Sequence, residues 1–305
     1  MEATPAPRQR TSKLVSLDTL AGLVEDGCRL ALGGFGIYNR PTAFARELAR
    51  QRRRDLTVVG TTNGHEVELL AGAGCVAIVE TSYIGLEKFG LARRVRALAE
   101  SGALRIIDFG EVMSFDRFRA SEDGASMLPV SYLAGNSVLE ANEDIVAFDC
   151  PLTGRRLYAV PPADPDIAVI QVPAADEYGN AMIPAARLMP QGLDLVLSRA
   201  APRLLLTAER IVETSWLQRR PHLVQIPAFR TEAVSWAPWG AHPGPMFGYY
   251  DADEAHFAEL IEAASSPGDF DRYLDTYVRG PVNHGEYLDR IGLARLVSLQ
   301  RRSRT

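Results

Sequence analysis

The sequence contains little that would support a disulfide scaffold, a zinc site or a membrane span. Its three cysteines among 305 residues, Cys28, Cys75 and Cys150, are odd in number and far apart. They form neither a CxxC pair nor a Cys/His cluster at zinc-ligand spacing, so a disulfide framework and a bound metal are both disfavoured. No uncharged apolar run approaches ~20 residues, and residues 1–12 lack an apolar segment. We therefore expect a soluble, cytoplasmic protein that does not enter a membrane.

Lysine is scarce, and positive charge does not predominate. Only Lys13 and Lys88 are lysines, and the other basic residues are arginines, a bias from which we draw no function. The net charge is −5 and the pI is near 5.6. A nucleic-acid-binding surface usually gives a domain a basic pI, so this balance predicts that no nucleic acid is bound.

The apolar pattern alternates between short strands and helices. Strand, glycine turn and helix follow one another over residues 28–52, and the order recurs through residues 56–71 and 76–101 before a fourth strand at 105–109. The helix of the third unit is expected over residues 86–101. This alternation predicts an α/β fold, a mostly parallel sheet with helices on both faces. Further strands are expected at 157–162, 167–172 and 203–208, an irregular aromatic segment at 227–250, and helices after residue 253. We interpret residues 1–12 as a disordered leader and 13–305 as a single domain with a helical C-terminal extension.

Four segments follow predicted strands and should share one edge of the sheet. They are residues 33–36 (GGFG), 61–64 (TTNG), 80–82 (ETS) and 110–111 (GE). In an open parallel sheet, ligands bind outside the carboxyl ends of the strands, because strand ends and helix N-termini converge there. The sequence therefore predicts the functional site at this edge.

The first of these segments is rich in glycine. Gly33, Gly34, Phe35 and Gly36 would present backbone N–H groups that a ligand oxygen or phosphate can approach closely. The segment lacks the GxGxxG spacing of a dinucleotide fold and the GK[ST] of a P-loop. An oxyanion or phosphate loop and a plain strand-to-helix turn both fit this pattern.

Carboxylates provide the other candidate chemistry. Glu111 directly follows a strand and a glycine, where a partly desolvated carboxylate has a raised pKa and can act as a nucleophile or general base. The alternative is a solvated acid at a helix start. Glu80 and Asn63 are secondary candidates at neighbouring strand ends. The sequence has no GxSxG elbow, which disfavours a serine hydrolase, and its five histidines are scattered without a predicted partner.

Five segments together resemble the A subunits of class I coenzyme A transferases, in particular those of the glutaconate CoA-transferase group. They span most of the chain: residues 33–41 (GGFGIYNRP), 80–91 (ETSYIGLEKFGL), 111–118 (EVMSFDRF), 175–180 (ADEYGN) and 238–243 (PWGAHP). The resemblance implies the CoA-transferase fold, a coenzyme A thioester as substrate, no permanently bound cofactor, and assembly with a B subunit, commonly as an A2B2 heterotetramer. The glycine loop corresponds to the element of the A chain that lines the cleft.

The resemblance also implies a ping-pong reaction through a glutamyl-CoA thioester. In two-chain transferases the nucleophilic glutamate usually belongs to the B subunit, in a Ser-Glu-Asn-Gly-like segment that this sequence lacks. In relatives that are ring-opening hydrolases of sterol breakdown, the acid lies on the A chain in the stretch that aligns with Glu111. Glu111 is therefore the preferred catalytic candidate, and transfer and hydrolysis both remain open.

Two further expectations follow from the sequence. Related α/β folds also serve as effector-binding modules in transcription regulators, but residues 1–12 are too short to supply the DNA-binding helix pair. Phe35, Tyr38 and the segment from Trp236 to Trp239 are candidate contacts for an apolar acyl group, with aromatic core packing as the alternative.

Overall fold

The computed structural model describes residues 10–184 and 193–300. Its strands are β1 (Leu14–Val15), β2 (Arg29–Leu32), β3 (Leu56–Val59), β4 (Thr62–Asn63), β5 (Val76–Thr81), β6 (Tyr83–Ile84), β7 (Arg105–Asp108), β8 (Leu128–Val130), β9 (Val146–Asp149), β10 (Arg156–Val160), β11 (Ile167–Val172), β12 (Ala174–Ala175), β13 (Ala181–Met182), β14 (Arg203–Ala208), β15 (Val224–Ile226) and β16 (Thr231–Trp236).

Helices alternate with the strands along the chain, and four described helices follow the last strand. They are α1 (Leu17–Gly22), α2 (Thr42–Arg50), α3 (His65–Gly72), α4 (Arg93–Glu100), α5 (Glu111–Asp123), α6 (Val138–Ala141), α7 (Leu193–Ala200), α8 (Thr214–Gln218), α9 (Glu254–Ala263), α10 (Pro267–Leu274), α11 (His284–Ile291) and α12 (Leu293–Leu299). A short 3-10 turn spans Glu87–Phe89, and a π-helical turn, Asp275–Arg279, follows α10.

Eight strands form one large parallel sheet in the order β1-β16-β14-β11-β2-β3-β5-β7. The central strands are mostly apolar because helices cover both faces of a parallel sheet, and every residue of β11, Gln171 included, is buried. The sheet confirms the predicted α/β fold. The division into a leader at 1–12 and one domain at 13–305 stays a prediction, and residues 1–9 lie outside the described residues.

Two apolar layers hold the helices against the sheet. On one face α1–α4, α9 and α10 pack around Phe44, Leu70 and Phe257. On the other face α5 and α7 pack through Phe118 and Leu197. A separate antiparallel sheet, β8-β10-β9, covers a smaller cluster beside β7. Burial of these side chains is the main force that fixes the strand ends in place.

Two local predictions were wrong. Residues 227–250 were expected to be irregular, yet Thr231–Trp236 is β16, the second strand of the large sheet. Residues 86–101 were expected to be one helix, but the 3-10 turn and Gly90, with φ of +105°, separate it from α4. The predicted C-terminal helices are confirmed as α9–α12, with Gly292 at φ +90° ending α11.

Candidate functional site

The strand order gathers the four predicted segments at one edge of the large sheet. β2, β3, β5 and β7 are parallel neighbours, so the residues that follow them lie side by side. After β5 the chain folds back, and β6 pairs with β4 just beyond the end of β3. This return brings residues 83–89 over the carboxyl ends of β2 and β3.

The backbone of the glycine turn, residues 33–36, is hydrogen-bonded within the chain. Each of its four N–H groups donates to an internal acceptor: Gly33 to the Val169 carbonyl (2.8 Å), Gly34 to Asp194 Oδ1 (2.7 Å), Phe35 to the Tyr38 carbonyl (3.1 Å) and Gly36 to Thr62 Oγ1 (3.1 Å). All four amides therefore have acceptors within the chain, which favours the strand-to-helix turn, and the oxyanion loop at residues 33–36 stays a prediction. The amides stabilise the turn itself.

The glycines are required because other parts of the chain approach the turn closely. Gly34 has φ of +89° and Gly36 has φ of +56°, values that favour glycine. A Cβ atom at Gly34 would overlap the Tyr38 carbonyl oxygen, and one at Gly36 would overlap Oε1 of Glu87. Backbone conformation and the close Tyr38 carbonyl both account for Gly34. At Gly36 the positive φ is the main reason, because the end of the Glu87 side chain can move.

A buried arginine holds the carbonyl side of the turn. Arg40 Nε donates to the Gly36 carbonyl at 2.8 Å, and its Nη1 donates to the carbonyl of Gly33 at 3.0 Å. Nη1 also lies 3.3 Å from Oε1 of Glu66, with both side chains almost fully buried. Burial lowers the pKa of the Arg40 guanidinium, although Glu66 and Asp194 oppose this effect. The turn therefore rests on a buried ion pair.

Asp194, at the start of α7, is the other charged contact of the turn. Burial raises the pKa of its carboxyl to about 6, although the hydrogen bond from Gly34 and the charge of Arg40 counteract the rise.

Asn63 is buried and stabilises the adjacent turn. Its Oδ1 accepts a hydrogen bond from Thr81 Oγ1 at 2.8 Å, and its amide donates to Glu66. These contacts give Asn63 a structural part at the edge.

Glu80 lies in a buried ion-pair cluster. Its carboxylate binds Arg29 at 2.8 Å and Arg117 at 2.6 Å, and the Arg117 guanidinium stacks on Phe109 at 3.6 Å. Burial raises the pKa of Glu80, but the two arginines outweigh burial and the net pKa is lowered. An acid with two cationic partners is a weak nucleophile, so this geometry favours a structural role for Glu80.

Glu111 is the first residue of α5 and is exposed. β7, which precedes it, is three strand spacings from β2, a separation of about 14 Å between the strands. Glu111 and the glycine turn therefore follow strands that are not neighbours in the sheet. Three apolar side chains near this end of the sheet are exposed, Leu91 by 57%, Ile106 by 42% and Val112 by 60%.

A cleft of about 500 Å³ opens beside the glycine turn. It is lined by Tyr38, by Glu87 of the 3-10 turn, and by Phe247 and Tyr250 of the loop before α9. Glu87 has φ of +52°, an uncommon backbone conformation for a side chain of its size. The sequence analysis missed Glu87, for which the flanking Gly85 and Gly90 were the available signal.

Glu209, which the sequence analysis also missed, follows β14 and anchors one wall of this cleft. Its buried carboxylate accepts from the Tyr250 hydroxyl (2.6 Å), the Gln171 amide (2.8 Å) and the backbone N–H groups of Trp239 and Gly240. Burial raises the pKa of Glu209 to about 7, although these donors act in the opposite direction. The carboxylate thus fastens the loop after β16 to the ends of β11 and β14.

The raised pKa of Glu209 predicts a pH-dependent contribution to stability. Between its ordinary pKa of 4.5 and about 7, the folded chain retains a proton that the unfolded chain loses, so stability from this group falls as pH rises. Glu209→Gln removes this dependence. We expect the difference in unfolding free energy, wild type minus variant, to be smaller by about 2–3 kcal/mol at pH 8 than at pH 5 in urea titrations.

Glu232→Gln is the control for the sign of that change. A hydrogen bond from Arg203 lowers the pKa of Glu232, so its contribution is present at neutral pH and is lost only as pH falls. For Glu232→Gln, the difference in unfolding free energy, wild type minus variant, should be no smaller at pH 8 than at pH 5. If the difference in unfolding free energy between wild type and Glu209→Gln is the same at pH 5 and pH 8, the carboxylate of Glu209 does not ionise near neutrality in the folded chain.

The buried side chain of His242 helps to pack the same loop. His242 Nδ1 lies 2.6 Å from the Tyr287 hydroxyl, and Nε2 lies 3.0 Å from Oδ2 of Asp253. Burial lowers the pKa of His242, against the effect of Asp253. Arg46 stacks on the Tyr287 ring at 3.6 Å and donates to the His242 carbonyl. His242 is only 1% exposed, so this arrangement packs the loop rather than contacting a substrate.

The described part of the chain offers neither a metal centre nor a membrane span. Within residues 10–184 and 193–300, no three His, Cys, Asp or Glu side chains are grouped so that they could hold a metal ion. Over the same two ranges, no helix has the length and apolar character needed to cross a bilayer.

Several known proteins are similar to this chain in sequence. The family model described as "Coenzyme A transferase" matches residues 15–236. The A subunit of 3-oxoadipate CoA-transferase from Pseudomonas knackmussii is 32% identical, over 88% of this chain and 94% of that protein. The A subunit of glutaconate CoA-transferase from Acidaminococcus fermentans is 28% identical, over 95% of each chain.

The fold agrees with these sequence relationships. The crystal structure of glutaconate coenzyme A-transferase from Acidaminococcus fermentans matches with a TM-score of 0.90 over 96% of both chains. An uncharacterized protein of Archaeoglobus fulgidus is 32% identical over 97% of this chain, which spans 66% of that protein's length. The chain therefore belongs to the coenzyme A transferase family and is similar to its A subunits over nearly their whole length.

Proposed function

We propose that this chain is the A subunit of a two-chain enzyme that moves coenzyme A between an acyl-CoA and a carboxylic acid. The observation that supports it best is the near-complete correspondence, in sequence coverage and fold, with the A subunit of glutaconate CoA-transferase. The B subunit is the expected partner, in an A2B2 heterotetramer. We further propose a cytoplasmic location and no permanently bound cofactor, with the CoA thioester as substrate.

The proposed reaction needs a carboxylate nucleophile. Its attack on the thioester carbonyl forms a mixed anhydride and releases CoA thiolate. The thiolate then attacks the enzyme's carbonyl of the anhydride, which gives an enzyme-CoA thioester and frees the donor acid. An acceptor carboxylate repeats these steps in reverse, and CoA leaves on the new acyl group. Water must be excluded throughout, because it hydrolyses both intermediates.

The companion chain is the better source of this nucleophile. Glu80 is held by two arginines. Glu111 is exposed at the start of α5, after a strand that lies about 14 Å from the one that precedes the glycine turn. Neither is a desolvated acid beside the cleft. We propose that the B subunit covers this edge and inserts its own glutamate, while Glu111 remains the candidate acid should the nucleophile belong to this chain.

The test uses the chain purified alone, its companion alone and the co-expressed complex. We expect the complex to transfer CoA from an acyl-CoA to an added acid and each chain alone to be inactive. Borohydride or hydroxylamine trapping with intact-mass analysis should then modify a glutamate of the companion. A modification at Glu111 would place the nucleophile on this chain.

Two outcomes would contradict the transferase proposal. Sustained release of free CoA without an acceptor acid would favour the hydrolase. A complex with no turnover and no trapped glutamate on either chain would favour an effector-binding module.

A further inference from the structure

The residue that follows Tyr38 joins the glycine turn to one wall of the cleft. Asn39 is 1% exposed, and its backbone N–H donates to the Pro245 carbonyl at 2.9 Å. Its side-chain Oδ1 accepts a hydrogen bond from the Phe247 N–H at 2.8 Å. Pro245 and Phe247 both line the cleft. Two hydrogen bonds to one buried residue therefore hold this wall in place.

The backbone of Asn39 is continuous with the glycine turn. Its φ of +54° lies in the left-handed region, which asparagine occupies more readily than most residues. The preceding carbonyl, that of Tyr38, accepts a hydrogen bond from the Phe35 N–H at 3.1 Å. The carbonyl group of Asn39 itself lies so close to Gly34 that a Cβ there would overlap it. The cleft wall is thus attached to the backbone that forms the turn.

The side-chain amide of Asn39 uses its oxygen and leaves its nitrogen unpaired. Nδ2 is buried and has no hydrogen-bond partner among the described residues. A buried donor without a partner is unfavourable, so an asparagine at this position calls for a compensating contact. The hydrogen bond that Oδ1 accepts from Phe247 is that contact. The amide is therefore explained by its hold on the wall of the cleft.

Phe247 forms an aromatic contact with the opposite side of the cleft. Its ring meets the Tyr38 ring edge to face, with centroids 6.4 Å apart. Tyr250, farther along the same loop, is fixed separately through the hydrogen bond from its hydroxyl to Glu209. Asn39 is bonded to Tyr38 through the chain and to Phe247 through Oδ1, so the spacing of the two rings depends on it. The cleft of about 500 Å³ is large enough for a small apolar group.

We propose that Asn39 is a positioning residue, which holds the Phe247 wall so that the cleft accepts the apolar acyl end of the CoA thioester. The inference rests on the proposed function and extends it to a residue that acts through another. Loss of the Asn39 side chain should therefore weaken binding of the acyl end and leave binding of the CoA portion unchanged.

Binding of two probes to the co-expressed complex separates these effects without requiring turnover. Coenzyme A and its S-butyl thioether are titrated by calorimetry, and the dissociation constant of coenzyme A divided by that of the thioether is the tail ratio. In the wild-type complex we expect a tail ratio of at least about ten, because the apolar carbons of the tail leave water. Asn39→Gly keeps the left-handed backbone and removes Oδ1, so it should lower the tail ratio about three- to tenfold, the size of one net hydrogen bond.

Two further variants show whether the Oδ1 contact is responsible. Asn39→Asp keeps an acceptor oxygen and a side chain that tolerates the left-handed backbone, so its tail ratio should stay within about twofold of wild type. Asn142→Gly is the matched control. Asn142 is 4% exposed and its Oδ1 accepts from the Asp144 N–H at 3.0 Å, but it lies beside β7, bonded to the Asp108 carbonyl. It is not part of the cleft, and its removal should leave the tail ratio unchanged.

Several results would overturn the proposal. They are a wild-type complex in which the butyl tail adds nothing to binding, an unchanged tail ratio in Asn39→Gly, and an equal fall in Asn39→Asp or in Asn142→Gly. A tail ratio that falls only in Asn39→Gly, in a complex that transfers no CoA, would refute the proposed function alone. A complex that transfers CoA while Asn39→Gly keeps the wild-type tail ratio would refute the role of Asn39 alone.

Discussion

Replacing Arg40 by methionine should lower the free energy of unfolding by about 3–5 kcal/mol, the usual cost of removing one partner of a buried ion pair. The Arg40 side chain is 1% exposed and that of Glu66 is 0% exposed, so the variant leaves the Glu66 carboxylate without its cation in the interior. It also removes hydrogen bonds to the Gly33 and Gly36 carbonyls. Urea unfolding followed by circular dichroism measures the change.

A surface pair provides the matched control for Arg40. Arg156 lies 3.3 Å from Asp149, but both side chains are more than half exposed, so Arg156→Met should leave stability almost unchanged. Adding Glu66→Gln to Arg40→Met removes the unpaired charge and should restore part of the loss. Equal stability of Arg40→Met and wild type would show that the buried pair does not hold the turn.

Alanine at Gly34 should lower the free energy of unfolding by about 3 kcal/mol or more. Two costs add: the left-handed backbone at φ +89° is unfavourable for alanine by about 1–2 kcal/mol, and the new methyl group overlaps the Tyr38 carbonyl oxygen. The turn has to move to relieve the overlap, which breaks its hydrogen bond to Asp194. The same unfolding titration measures this variant, and transfer activity of the complex should fall with it.

Alanine at Gly74 is the control that separates the backbone cost from the cost of the overlap. It has a similar φ of +77°, but nothing lies within 4 Å of the position a Cβ would occupy. Gly74→Ala should therefore show the backbone cost alone, about 1–2 kcal/mol. If Gly34→Ala is no more destabilising than Gly74→Ala, close packing at the turn is not what demands glycine there.

Elements whose residues are mostly apolar could be predicted from the sequence. β11 was expected because six successive residues suit a strand buried on both faces. β16 was missed because residues 227–250 are rich in Pro, Gly and Trp, and because Glu232 interrupts the apolar residues of the strand. Its place in the sheet comes from pairing with β14, which no local pattern encodes.

The edge on which the candidate site lies was predictable, but the state of its groups was not. Parallel strands bring the segments after β2, β3, β5 and β7 together, as the alternation of strands and helices implied. The acceptors of the glycine-turn amides come from distant positions: Asp194 is 160 residues from Gly34 in sequence. The hydrogen bonds of the glycine-turn amides and the ion pairs of Glu80 depend on tertiary contacts. The position of a residue at a strand end does not predict them.

The internal contacts of the glycine turn link its motion to that of a helix far along the chain. Asp194 at the head of α7 holds the Gly34 amide, and α7 itself packs on the sheet through Leu197. A local opening that displaced α7 would remove the acceptor of the Gly34 amide. Substitutions that weaken the packing of α7 on the sheet should therefore also loosen the glycine turn at the mouth of the cleft.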